Sequence, residues 1–213
     1  MNFDIITLFP EMFDGVFEKS IIGRAKEKEL VNINYHQMRQ WAWNTYGAVD
    51  DKPYGGDVGM LIRIDVIDKA LKEIKKEGAH VILTSARGKR FEQKDAERLL
   101  KEKNIIIICG HYEGFDERIS DLVDEEISIG DYVLTGGEIP AMVIVDSVAR
   151  LLPGVLGKDE SSQIESFSGP DRKIEFPQYT RPAEYNGQKV PEVLLSGDPK
   201  KIKEWQEKET KLL

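Results

Sequence analysis

Val81-Ile82-Leu83-Thr84-Ser85-Ala86-Arg87-Gly88 and Ile105-Ile106-Ile107-Ile108-Cys109-Gly110-His111-Tyr112-Glu113-Gly114 decide the fold class. Each begins as an unbroken apolar, largely β-branched run, without the polar alternation of a strand that faces water on one side. Such runs belong to strands covered on both faces of a parallel sheet. A helical stretch between them, Glu92 to Lys101, supplies the crossover that a parallel pair needs. A weaker third run, Glu126-Ile127-Ser128-Ile129, leads into Gly130-Asp131-Tyr132-Val133-Leu134-Thr135-Gly136-Gly137. The body is therefore read as α/β. Ligands of open α/β sheets bind beyond the carboxyl ends of the strands, so three polar or glycine-rich loops in succession are expected to gather around one site.

Upstream, Phe3 to Leu8 reads as a buried strand ended by Pro10, followed to about Glu29 by a helix with Phe13, Phe17, Ile21 and Ala25 at four-residue steps. Val31 to Met38 is a second strand. Arg39 to Gly59 has no period and reads as a long loop, a length that compact domains usually keep for function. A helix follows from about Asp65 to Glu77, with Gly78 placed to stop it. Downstream, Glu138 to Leu152 is a helix that tolerates Pro140 in its first turn. It is apolar on more than one face, so it is expected deep in the core or against another subunit. Gly157 to Asp171 reads as a flexible connector, and Asp198-Pro199 as the cap and first residue of a last, charged helix. The expected domains are 1–157, a linker at 158–172, and a small helical domain at 173–213.

The chain has 213 residues, enough for a real core, with 40% hydrophobic and 32% charged residues. No apolar run approaches the roughly 20 residues of a membrane span, and the N-terminus lacks the parts of a secretory signal. The single cysteine, Cys109, leaves no internal disulfide and fits a reducing compartment, so a cytoplasmic location and no membrane contact are expected. A net charge of -8 argues against a nucleic-acid partner. Local clusters such as Arg87, Lys89 and Arg90, or Arg172 and Lys173, can still serve a small RNA footprint, and composition leaves the partner open.

Phosphate-loop, dinucleotide, zinc-protease and serine-hydrolase motifs are absent. His36, His80 and His111 are too scattered in sequence for a metal site, and His36 and His80, inside strands, are expected to be structural. Any one glycine at a strand end is accounted for by a turn. Three such loops together point to a pocket in which backbone groups meet a flat ligand edge.

Longer stretches carry a resemblance. They are Thr7-Leu8-Phe9-Pro10-Glu11-Met12-Phe13, Pro53-Tyr54-Gly55-Gly56 with Gly59-Met60, Cys109 to Arg118, Ile129 to Glu138, Pro153 to Gly157, and Pro177-Gln178-Tyr179-Thr180-Arg181-Pro182. Through them the chain resembles the bacterial tRNA (guanine-37-N1)-methyltransferases of the SPOUT superfamily, from Met1 to about its end. The resemblance implies a parallel sheet with a deep C-terminal trefoil knot, a small helical C-terminal domain, and a homodimer whose active sites are shared between subunits. It implies S-adenosylmethionine as methyl donor, held by Thr84, Ser85, Ala86, Gly88, Gly110, Tyr112, Glu113, Gly114, Ile129, Gly130, Tyr132, Leu134, Gly136, Gly137 and Pro140. A magnesium requirement is also implied, with no site assigned. The partner implied is tRNA with guanine at position 37.

Guanine N1 carries a proton, and removing it spreads negative charge onto O6, so methylation there needs a base at N1 and a fixed cation at O6. The family uses an Arg and an Asp. Here Arg150 matches the Arg and Glu165 stands where the Asp is expected, keeping the carboxylate on a longer arm. Two further departures are Asn44-Thr45-Tyr46-Gly47-Ala48, where a basic stretch is usual, and an end at Leu213, where relatives commonly continue with a basic segment. Both are expected to weaken tRNA binding or shift it to Arg172, Lys173, Arg181, Lys200, Lys201 and Lys203. The donor loops alone would serve a SPOUT methyltransferase with another RNA target, and Glu165 with the short tail would fit a non-catalytic RNA-binding relative. Tyr179 to Pro182 weighs against the first alternative, and the intact donor loops weigh against the second.

Overall fold

The computed structural model describes residues 1–157, 165–167 and 172–211. The chain divides into two compact units, Met1–Gly157 and Lys158–Leu213. In chain order the first contains β1 (Asn2–Thr7), α1 (Asp14–Phe17), α2 (Ser20–Glu27), β2 (Asn32–Gln37), β3 (Asp50–Asp51), β4 (Leu61–Ile62), α3 (Ile64–Ile74), β5 (His80–Arg90), α4 (Gln93–Leu99), β6 (Asn104–Ile108), β7 (Glu125–Ser128) and α5 (Glu138–Ala149). Five strands form one sheet in the order β2-β1-β6-β5-β7, with every pairing parallel.

The unbroken apolar runs have the reason the sequence implied. Ile105 and Ile107 of β6 enter one buried cluster with Phe3, Ile5, Ile82, Phe13, Phe17, Leu99, Ile144 and Val148. Ile106 and Ile108 enter the other, with Ile6, Val81, Leu83, Val66, Ile67 and Ala70. Helices thus cover both faces, and each isoleucine fully buried this way contributes about 1.5–3 kcal/mol.

Three elements differ from the sequence reading. The expected helix to Glu29 is broken into a 3-10 turn at Pro10–Phe13, α1 and α2. The chain turns after Glu18, with Ser20 at φ 56°, and Gly23 packs so closely on the Glu18 carbonyl that a Cβ there would lie 2.8 Å from it. Phe13 and Phe17 then stack at 5.8 Å and Ile22, not Ile21, is buried. The loop Arg39 to Gly59 contains a 3-10 turn at Met38–Trp41 and β3, which pairs antiparallel with β4. The third difference is in β5, which does not end in a loop at Ser85. It pairs with β7 through Thr84, swings out over Ser85–Gly88, and pairs again from Lys89, so that both Thr84 and Lys89 face Ile127.

The second unit is built from small parts. β8 (Glu184–Tyr185) and β9 (Gln188–Lys189) form a hairpin around Asn186-Gly187, both at positive φ, the turn that Asn-Gly favours. Two helices follow, α6 (Glu192–Leu195) and α7 (Pro199–Glu209). Asp198 caps α7 as expected, accepting from the backbone N–H groups of Lys200 and Lys201. The expected linker at 158–172 lies largely outside the described residues. Those described belong to this unit, where the Phe167 N–H donates to the Lys173 carbonyl at 2.7 Å and the Glu175 N–H to Ser166 Oγ at 3.1 Å.

Candidate active site

Strands β6, β5 and β7 lie side by side at one edge of the sheet, so the excursion Ser85–Gly88 within β5 meets the loops that follow β6 and β7. They enclose a cavity of about 570 Å³, within the range of small-molecule sites. Of the residues expected at the donor site, all but Gly88 line it. Gly88 lies instead where β5 returns to the sheet: a Cβ there would sit 2.6 Å from the backbone of Glu126 and Ile127. Its glycine is required by strand contact rather than by the cavity.

The glycine loops are closed against one another by backbone. Gly137 N–H donates to the Gly110 carbonyl at 2.8 Å, and Thr84 Oγ1 donates to the Ile108 carbonyl at 3.0 Å. A Cβ on Gly137 would overlap Thr84 Oγ1 and lie 2.5 Å from Gly110 N and 2.7 Å from Cys109 Cα. Two walls of the cavity therefore approach to a distance that only glycine permits. Cys109, directly behind, is fully buried, and burial together with the Glu138 charge pushes its thiol well above the usual range. It cannot serve as a thiolate nucleophile.

The polar groups are few. Arg87 donates to Glu117 at 2.7 Å, an exposed pair of two cavity residues. Beneath the floor, Glu138 Oε1 accepts from Thr7 Oγ1 at 2.6 Å and Oε2 lies 2.8 Å from His111 Nε2. His36 and His80 are structural partners, 2.8 Å from Asp4 and 2.6 Å from Glu125.

Arg150 is the C-cap of α5, whose other end supplies Pro140 to the cavity. From Pro140 to Arg150 is 150 − 140 = 10 residues, or about 15 Å along the helix. Glu165 belongs to the second unit and is half-buried there. Among the described residues no group of three or more His, Cys, Asp or Glu side chains is placed to hold a metal ion.

Comparison with known proteins gives this arrangement a context. The family model described as tRNA (Guanine-1)-methyltransferase TrmD matches residues 1–212. The chain belongs to that family. Among curated relatives, the tRNA (guanine-N(1)-)-methyltransferase of Carboxydothermus hydrogenoformans is 52% identical over 213 residues, which is 100% of this chain and 83% of the relative. Those of Geobacter sp. (strain M21) and Bacillus subtilis (strain 168) are each 51% identical, over 98% and 99% of this chain and 84% and 87% of the relative.

Two cavity-side residues escaped the sequence reading of the site. His111 was set aside with the other histidines for want of metal-ligand spacing, although its place inside Gly110 to Gly114 was a signal that its partner would be found in another loop. Glu138 reads from sequence as an ordinary first-turn carboxylate. Only the fold shows that it is 1% exposed.

Proposed function

We propose that this protein transfers the methyl group of S-adenosylmethionine to N1 of the guanine 3′ to the anticodon in tRNA. The carrying observation is the cavity closed by Gly110, Gly130, Gly136 and Gly137 in a chain of this family. When bound, the donor supplies an electrophilic methyl on a sulfonium. The loops offer backbone groups to its adenosine. Glu165 takes the N1 proton and the Arg150 guanidinium holds the charge that develops on O6.

The two ends of α5 support a homodimer with shared sites. Arg150 stands about 15 Å along the helix from the residue that lines its own cavity, so a guanine held at one donor is better reached by groups of a second copy. Large apolar side chains are also left open to solvent on α5, Ile139 and Val143, and on or beside the 3-10 turn packed against it, Phe9 and Met12. A second copy is the natural cover for such a patch. Membership of the family supports a threaded, trefoil-knotted chain. Phosphate contacts are assigned to Arg172, Lys173, Arg181, Lys200, Lys201 and Lys203 of the second unit, and the location to the cytoplasm. No helix among the described residues is long and apolar enough to cross a membrane.

The test is methyl transfer from labelled S-adenosylmethionine to a tRNA transcript with guanine at position 37, beside the same transcript with adenine. Label is expected only on the guanine transcript. Glu165→Gln is expected to lower kcat by about 10²–10⁴-fold while leaving donor affinity unchanged. Turnover preserved in Glu165→Gln would remove Glu165 from the base role, and label on neither transcript would remove this substrate.

A further inference from the structure

Glu138 is a charged side chain with almost no access to water: it is 1% exposed, at the first residue of α5. Burial of that kind is tolerated only when the carboxylate is hydrogen-bonded. Its two hydrogen-bond partners come from different parts of the chain, Thr7 at the end of β1 and His111 in the loop after β6. Thr7 Oγ1 also accepts from the Phe9 N–H at 3.0 Å, which leaves its single proton for Glu138. No lysine or arginine among the described residues pairs with Glu138, so His111 Nε2–H and Thr7 O–H carry its solvation, helped by the positive end of α5.

The imidazole is also fixed from outside. A Cβ on Gly136 would lie 2.5 Å from its Cε1 and Nε2 and 2.6 Å from Glu138 Oε2, so the loop backbone packs directly on the ring. Phe9 meets it edge-on at a centroid distance of 5.0 Å, and Tyr112 at 6.4 Å. His111 therefore joins the loop Gly110–Gly114 to the loop Gly136–Gly137 and to the start of α5, alongside the backbone bond from Gly137 to Gly110. Both loops are walls of the cavity.

We propose that the Thr7–Glu138–His111 chain is a clamp that holds the two loops at the spacing the methyl donor requires, with His111 as a positioning residue that sets donor affinity and not the rate of the chemical step. This rests on the reading of the cavity as the donor site. A preformed cavity spares the ordering of loops on binding, so a released clamp is felt as weaker binding. Loss of one hydrogen bond to an ionised group corresponds to roughly tenfold to hundredfold in affinity.

The test is calorimetric binding of S-adenosylmethionine and steady-state kinetics for wild type, His111→Phe, His111→Gln, Thr7→Val and Thr7→Ser, each with a thermal melt. His111→Phe keeps the ring and loses the donor N–H: its donor Kd and KM are expected to rise about tenfold to hundredfold, with kcat at saturating donor and the KM for tRNA within about twofold. His111→Gln, whose amide N–H reaches toward the same carboxylate, recovers most of the affinity. Thr7→Val weakens binding and Thr7→Ser does not, because the hydroxyl is kept. A His111→Phe protein that melts earlier but binds the donor as wild type does overturns the clamp and leaves His111 a residue of the fold alone. A fall in kcat at saturating donor with Kd unchanged overturns it in favour of a part in the chemistry. Wild type that does not bind the donor takes down the reading of the cavity and the clamp with it, whereas wild type that binds beside variants that bind equally well takes down the clamp alone.

Discussion

The helices α5 and α7 are nearly equal in length and are held by opposite means. In α5, Pro140, Ala141, Ile144, Val145, Val148 and Ala149 are buried, and even its first-turn carboxylate is sealed. In α7 no residue is buried. Its order rests on the Asp198 cap and on Trp205, which meets Phe176 at 6.2 Å and Tyr179 at 6.3 Å. The same contrast runs through the two units: one is organised by two apolar clusters on a sheet, the other by a hairpin, short helices and a few aromatic contacts. The difference teaches where pre-organisation sits. The cavity is walled by residues of a packed core, while the unit that carries Glu165 has little burial of its own among the described residues to fix it.

The strongest way to break that contrast is to disturb the packed half at one point. Gly137→Ala sets a methyl group on Thr84 Oγ1 and against the backbone of Cys109 and Gly110. Backbone cannot rotate away, so the two cavity walls must separate. Overpacking of this kind costs about 1–3 kcal/mol, and because it falls on the cavity it is expected as a roughly tenfold to hundredfold loss of donor affinity. Calorimetry with S-adenosylmethionine reads it. Affinity equal to wild type would mean that the walls are soft and the cavity is not preformed.

How far this was legible in the sequence follows the same division. The parallel sheet was readable because Ile105 to Ile108 are buried on alternate faces, which requires an unbroken apolar run. The cavity was readable because strand ends with glycines must converge in such a sheet. The course of β5 was not, since Ser85-Ala86-Arg87-Gly88 looks like a loop and its return to Ile127 is a long-range pairing with no local period. The break between α1 and α2 was hidden as well: Phe13, Phe17, Ile21 and Ala25 keep a helical spacing, and the turn at Ser20 depends on the fit of Gly23 against Glu18. Glu138 and His111 were invisible as a pair because they are brought together only by the fold, across 138 − 111 = 27 residues. In the second unit the cap at Asp198 was plain from the sequence, being a contact of neighbouring residues, while the meeting of Phe176 and Tyr179 with Trp205 was not.

A second perturbation approaches the contrast from the loosely packed side. Trp205→Ala removes two aromatic contacts, each worth about 0.5–1.5 kcal/mol beyond its buried area. With no buried residue in α7 to compensate, the helix is expected to fray and tRNA affinity to fall severalfold. Donor affinity should stay at the wild-type value, because the lining residues, Leu61 to Pro140, belong to the first unit. Hydrogen exchange of the α7 amides, measured beside donor calorimetry, checks both halves. A fall in donor affinity would show that the two units are energetically one.

The smallest effect sharpens the comparison through pH. All three histidines, His36, His80 and His111, lie in the first unit. His80 gives the effect of pH a direction. The hydrogen bond that His80 donates to the Glu125 carboxylate raises the His80 pKa above 6.5, against the opposing effect of burial. Burial pushes the Glu125 carboxyl up, but the bonds from His80 and Arg98 outweigh it and hold the pKa below 4.5. A raised histidine stabilises the fold fully below its unfolded value and loses that contribution as pH rises through its folded value. A depressed carboxyl stabilises above its unfolded value and loses its contribution as pH falls through its folded one. Both contributions are therefore present between 4.5 and 6.5, and the His80 part fades above that window. The side-chain pair joins the first residue of β5 to the first residue of β7, so its loss loosens the strand that carries Thr84 to Gly88. Wild type is expected to show a decline in urea midpoint as pH rises above 6.5 and His80→Phe to flatten it, while the acid side persists through Arg98 and Glu125. An alkaline decline of equal size in the variant would assign it to groups other than His80.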